Sequence, residues 1–137
     1  MIIDASVAFK WLVTEPGSDM AISWLDHEDL KAPSLLLAEV GNAVSKRIRG
    51  GQLLQAGAAE KLAQLETIVT IAESQNAVGL ALTMSIELSH SFYDCVYLAM
   101  AEGLGDQLLT ADAVFFKKCE ASRWAETVRL LAPYDGT

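Results

Sequence analysis

The chain has 137 residues, 52% of them hydrophobic and 20% charged, with a formal net charge of −8. This composition excludes a disordered segment and suits one domain over residues 1–137 with a sizeable core. The negative charge argues against a general nucleic-acid-coating protein, whose surface would be basic. It leaves room for a nuclease, because metal-binding acids add formal charge that the ions offset.

In chain order, "MII" is a short apolar run ending at Asp4. The spacing predicts a helix over 5–13, stopped by "EPG", and a second over 19–26 with Met20, Ala21, Trp24 and Leu25 at helical intervals. "APS" introduces a third helix that runs to about Arg49, with Lys46, Arg47 and Arg49 complementing its dipole and Gly50-Gly51 stopping it. A fourth helix is expected over 56–66, and the β-branched "IVTIA" (68–72) reads as a strand. Residues 77–88 return to helix, and 92–102 are apolar on nearly every face, as in a fully buried helix. A short strand at 107–110, a helix at 113–119 and a last strand at 127–131 are expected in the remainder of the chain. Short apolar strands alternating with helices predict an α/β chain whose central parallel sheet is covered on both faces.

Cys95 and Cys119 show no metal-type spacing and suit a reduced, cytoplasmic protein, with a disulfide still open. No basic stretch precedes an apolar one at the start, and no apolar run is long enough to span a bilayer, so no membrane association is expected.

Four acids stand out: Asp4, Glu39, Asp94 and Asp112. Asp4 and Asp112 each follow an expected strand and precede a helix, where open α/β sheets gather ligands. Asp94 opens the apolar helix. Glu39 lies inside "LLLAEVGNAV", with Asn42 and Lys46 on the same stripe of an otherwise apolar rod. Helix capping is an alternative for the three aspartates, and a solvated face for Glu39. Glu28, Asp29, Glu60 and Glu66 lie in polar surroundings and read as solvated surface. An isolated buried carboxylate is costly unless a cation pairs with it. Mg²⁺ and Mn²⁺ prefer oxygen ligands and activate water for attack on phosphorus. No rival catalytic group competes: His27 and His90 sit in no nucleophile motif, and the glycine pairs read as helix stops. His90 is expected in a loop, near enough to Asp94 to touch a substrate.

"MIIDASV", "APSLLLAEVGNAV", "SFYDCVYLAMAEGLG" and "LLTADAVFFKK", in that order and spacing, resemble the PIN-domain ribonucleases, and more closely the VapC-type toxins of toxin–antitoxin pairs. The likeness runs from Met1 to about Leu131. It implies a three-layer α/β/α domain and Mg²⁺- or Mn²⁺-dependent endonuclease activity on RNA. It places Asp4, Glu39, Asp94 and Asp112 as metal-site acids and matches Thr110 to a hydroxyl residue common before the last acid. Ser6 and Asn42 would orient the carboxylates, with capping and surface polarity as their alternatives. Residues 113–116 lack a further acid or amide that some relatives carry, so a second metal would need substrate phosphate to complete its site.

The resemblance further implies a homodimer and a small antitoxin that blocks the site; Phe9, Trp11, Trp24 and Leu36 are apolar candidates for such contacts, or for the core. RNA needs cations, for which Lys46, Arg47 and Arg49 form one patch and Lys117, Lys118 and Arg123 another. A different class of function is a catalytically weak binding module acting in a repressor complex with an antitoxin. An aspartyl-phosphate enzyme is disfavoured, because Ser6 stands where a second acid would be.

Overall fold

The computed structural model describes residues 1–137. Five short strands, β1 (Ile2–Ile3), β2 (Lys31–Ala32), β3 (Thr70–Ile71), β4 (Leu108–Thr110) and β5 (Val128–Leu130), form one sheet in the order β3-β2-β1-β4-β5. Every pairing is parallel. Successive side chains on a strand point to opposite faces. Ile2, Ile3, Leu108, Leu109 and Thr110 are all fully buried, so the centre of the sheet is covered on both sides. The α/β/α architecture expected from the sequence is the one observed.

The covering helices are α1 (Ala5–Leu12), α2 (Ser18–Ser23), α3 (Leu35–Arg49), α4 (Ala58–Ile68), α5 (Ala77–Leu88), α6 (Phe92–Leu104) and α7 (Ala113–Glu120). Helix α3 buries Leu36, Val40 and Val44, a stripe at four-residue spacing that faces the core. Glu39 lies one position off that stripe. The chain winds outward from β1 to β2 and β3, then returns across the sheet to β4 and β5. This reversal puts a topological switch point between β1 and β4, the crevice where parallel sheets gather ligands.

Several expectations need correction. Lys31–Ala32 is a strand that the sequence pattern did not reveal: two residues are too few to show alternation. Residues 68–72 are not all strand, because α4 runs on to Ile68 and β3 holds only Thr70–Ile71. The segment 19–26 is a short helix followed by a 3-10 turn (Trp24–Asp26). Helix α6 is not buried all round: Tyr93 and Leu104 are exposed, and the fully covered part is Tyr97–Ala101 with Cys95. Trp24 and Leu36 are fully buried and Phe9 nearly so, while Trp11 packs against the core and donates its indole N–H to the Ala21 carbonyl; these are core residues. Glu28, Asp29, Glu60 and Glu66 are exposed or nearly so, as expected. Both cysteines are free and buried. No helix is long and apolar enough to cross a membrane.

Candidate metal centre

Asp4 follows β1 and caps α1: its Oδ1 accepts the Val7 amide at 3.2 Å and the Ser6 hydroxyl at 2.5 Å. Asp112 follows β4 and caps α7 in the same way, its Oδ1 accepting the Phe115 amide at 3.0 Å. Because β1 and β4 pair with Ile3 opposite Leu109, the two caps leave the sheet side by side. Ser6 ties them together: its Oγ donates to Asp4 and accepts the Ala111 amide at 2.8 Å. It is a cross-link between two strand ends rather than a helix cap. Thr110 is fully buried, and its Oγ1 accepts the Asp112 amide at 3.1 Å.

The other two acids come from helices. Asp94 sits in the first turn of α6, and its Oδ2 is 2.7 Å from Nε2 of His90. Glu39 on α3 receives a 2.7 Å hydrogen bond at Oε1 from the hydroxyl of Tyr97, a buried residue of α6. The four carboxylates thus share one pattern. In each, one oxygen is held by a protein donor; in Glu39, Asp94 and Asp112 the second carries no hydrogen bond, while the Asp4 carboxyl also feels the Thr110 hydroxyl. Capping and ligation are not alternatives for Asp4 and Asp112, because each role needs a different oxygen.

The electrostatics fit acids gathered at one place. Burial pushes the Asp4 carboxyl up to about 6, against the pull of the Ser6 and Thr110 hydroxyls and the Val7 amide, and the nearby Asp94 charge raises it further. Glu39 also lies above its ordinary value, first through burial and then through Asp94, with the Tyr97 hydroxyl opposing. The tightest set of ligand-type atoms is Asp94, Asp112 and His90, all within 4.8 Å of one another. Asp4 and Glu39 stand farther out but within electrostatic reach of Asp94.

Above the acids lies an open cleft of about 370 Å³ whose lining includes Ser6, Lys10, Glu15, Glu39, Asp94 and Asp112. A larger cleft of about 540 Å³ runs between α3 and α4, but Glu60 is its only acid. Three of the four acids, Glu39, Asp94 and Asp112, line the smaller one. Its rim carries an ion network that sequence spacing did not reveal: Glu15 accepts Lys10 at 2.9 Å and Arg47 at 3.2 Å, and the Arg47 guanidinium lies 5.2 Å from the Phe9 ring centroid. Asn42 is exposed and bonds to none of the four acids. Lys46, Arg49 and Lys117 are exposed. Lys118 turns inward instead, donating to the Ser89 carbonyl at 2.8 Å and lying 3.2 Å from Nδ1 of His90. Arg123 pairs with Glu87 and stacks over Trp124.

The fold is a parallel α/β/α sheet with acids gathered at its switch point. The PIN domain matches residues 1–121, and the chain belongs to that family. It is 30% identical over 125 residues to Ribonuclease VapC3 of Pyrobaculum aerophilum, covering 88% of this chain and 95% of that one. It is 26% identical over 113 residues to Ribonuclease VapC1 of Mycobacterium tuberculosis (strain H37Rv), covering 82% and 85%. Among solved structures, that of PAE2754 from Pyrobaculum aerophilum is similar at a TM-score of 0.72 and 25% identity, over 93% of this chain and 81% of that chain.

Proposed function

We propose that this protein is a metal-dependent endoribonuclease, the toxin of a toxin–antitoxin pair, working in the cytoplasm with Mg²⁺ or Mn²⁺ at Asp4, Glu39, Asp94 and Asp112. The observation that carries the proposal is the gathering of these acids around Asp94, each with an oxygen held by a protein donor. Similarity to proteins named VapC ribonucleases supports RNA as the substrate.

The donor set suits a hard divalent cation, being built from carboxylate oxygens. The two thiols are buried and pushed up to about 11 (Cys95) and about 12 (Cys119), which keeps them from acting as soft ligands. Bound there, the ion would supply Lewis acidity at the scissile phosphate and activate water. Asp4, Asp94 and Asp112 would hold it, with Glu39 binding directly or through water. Ser6 and the two helix caps fix the aspartates from β1 and β4, and Tyr97 fixes Glu39. The Lys10–Glu15–Arg47 network borders the cleft, and with Lys46, Arg49 and Lys117 it would steer the RNA backbone toward the acids. The substrate phosphate would complete any second ion site.

A homodimer and a blocking antitoxin belong to the same proposal. Their contacts would draw on exposed apolar side chains such as Leu54, Val78, Ile86 and Val114 rather than on the buried Trp24 and Leu36.

The test is cleavage of a total-RNA pool by purified, folded protein freed of any inhibitor. Reactions with Mg²⁺, with Mn²⁺ and with EDTA would run beside Asp94→Asn. Discrete metal-dependent bands that vanish in the variant are expected. Absence of cleavage under every condition would favour the binding-module reading.

A further inference from the structure

His90 has no assigned part in the chemistry, yet its ring is held on every side. It follows the C-terminus of α5, where Ser89 adopts a left-handed backbone (φ +49°) that non-glycine residues seldom take. Ser89 is the C-cap, and the Ser85 hydroxyl donates to the His90 carbonyl at 2.6 Å. The imidazole stacks on Phe115 of α7, with centroids 4.5 Å apart and planes inclined by 23°. Only 12% of the side chain is exposed.

The hydrogen bonds fix the ring's chemistry. Lys118 Nζ lies 3.2 Å from Nδ1. An ammonium offers donors and no acceptor, so Nδ1 must be the acceptor in that contact. The neutral ring then carries its proton on Nε2. That N–H points at Oδ2 of Asp94, 2.7 Å away. Nε2 is therefore a donor to the carboxylate and has no lone pair for a metal, although it lies within ligand distance of Asp94 and Asp112.

We propose that His90 is a positioning residue for the metal centre: Lys118 sets its tautomer, Phe115 sets its plane, and its Nε2–H fixes Asp94 so that the other carboxylate oxygen faces the cation. The proposal rests on the metal-centre reading above. Groups that orient a ligating side chain typically change metal affinity by about 10–100-fold when removed.

The test is Mn²⁺ binding followed by electron paramagnetic resonance, at one fixed pH, with no RNA present. His90→Phe keeps a ring to stack on Phe115 but lacks the donor; His90→Gln restores a donor of similar reach. We expect about 10–100-fold weaker Mn²⁺ binding in His90→Phe, with most of the affinity recovered in His90→Gln. The thermal melt without metal separates this from misfolding. In the wild-type protein, pulsed spectroscopy of bound Mn²⁺ should show no directly coordinated nitrogen, a readout that needs no variant to fold. Wild-type affinity in His90→Phe would overturn the proposal. So would a nitrogen coupling that disappears in His90→Gln, since His90 would then be a ligand. Failure of the wild-type protein to bind Mn²⁺ at all would instead overturn the metal-centre reading beneath it.

Discussion

The hydroxyl of Tyr97 donates a 2.7 Å hydrogen bond to Oε1 of Glu39 across 58 residues of sequence. Glu39 is half-buried and Tyr97 fully so, and the hydrogen bond satisfies a carboxylate oxygen that burial has cut off from water. Burial and the adjacent Glu39 together hold the phenol far above its ordinary value, so it stays a donor. Tyr97→Phe removes the donor and leaves the acid unmatched. Folding stability should fall by about 1 kcal/mol in urea denaturation, and the Glu39 carboxyl should rise further. Unchanged stability would mean that water replaces the phenol at no cost.

Asp4 makes the metal-free protein sensitive to pH. Its folded carboxyl titrates at about 6, raised from 3.8. The folded state therefore binds this proton more tightly than the unfolded chain does. The resulting stabilisation is complete below the unfolded value and is lost as pH rises through about 6. Asp4→Asn keeps a cap acceptor for Val7 and carries no charge. Relative to that variant, the metal-free parent should lose on the order of 1–3 kcal/mol between about pH 4 and pH 7.5. Denaturation curves of both proteins at the two pH values measure this. Parallel losses would contradict it.

Divalent cation should reverse the effect. Mg²⁺ that binds only the folded state stabilises it by mass action, by about 2.7 kcal/mol at a hundredfold excess over the dissociation constant. The melting temperature should climb with Mg²⁺ at neutral pH and respond less below about pH 6, where Asp4 takes up a proton. An Asp94→Asn, Asp112→Asn double variant should show no response. A flat melting temperature in the parent would count against a preformed site.

The α3 cations should act on RNA by pairing with its phosphates. Lys46 is exposed, and Arg47 is 38% exposed at the rim, paired with Glu15. Replacing both with Glu should weaken binding of single-stranded RNA. The plot of log affinity against log salt should also flatten, by about 0.7 for each phosphate that is no longer neutralised. Fluorescence anisotropy with a non-cleavable RNA at several salt concentrations gives both numbers. An unaltered slope would move the RNA path off α3.

The strand-end acids are legible in the sequence because their signal is local. An apolar run, an acid and a helix start fall within a few residues, and the fold keeps that order around Asp4 and Asp112. Glu39 is legible as an anomaly, an ionisable group on an apolar rod. What completes the site is hidden because it is tertiary. Tyr97 reaches Glu39 from another helix and reads in sequence as one more core aromatic. His90 depends on Lys118, whose charge suggests RNA binding while its side chain turns toward the ring. The Lys10–Glu15–Arg47 network joins α1, the loop after it and α3. Asn42 shows the converse: its spacing puts it on the stripe of Glu39, yet its side chain is exposed. Strand β2 is silent in the sequence because two residues carry no period, and its pairing with β1 and β3 defines it instead.

The most direct test of the metal centre is anomalous diffraction from crystals grown with millimolar Mn²⁺. A single strong peak bounded by carboxylate oxygens of Asp4, Asp94 and Asp112, with Glu39 at direct or water-bridged distance, is the result expected. No peak there in crystals that hold Mn²⁺ elsewhere, or a peak ligated by Nε2 of His90, would contradict this arrangement.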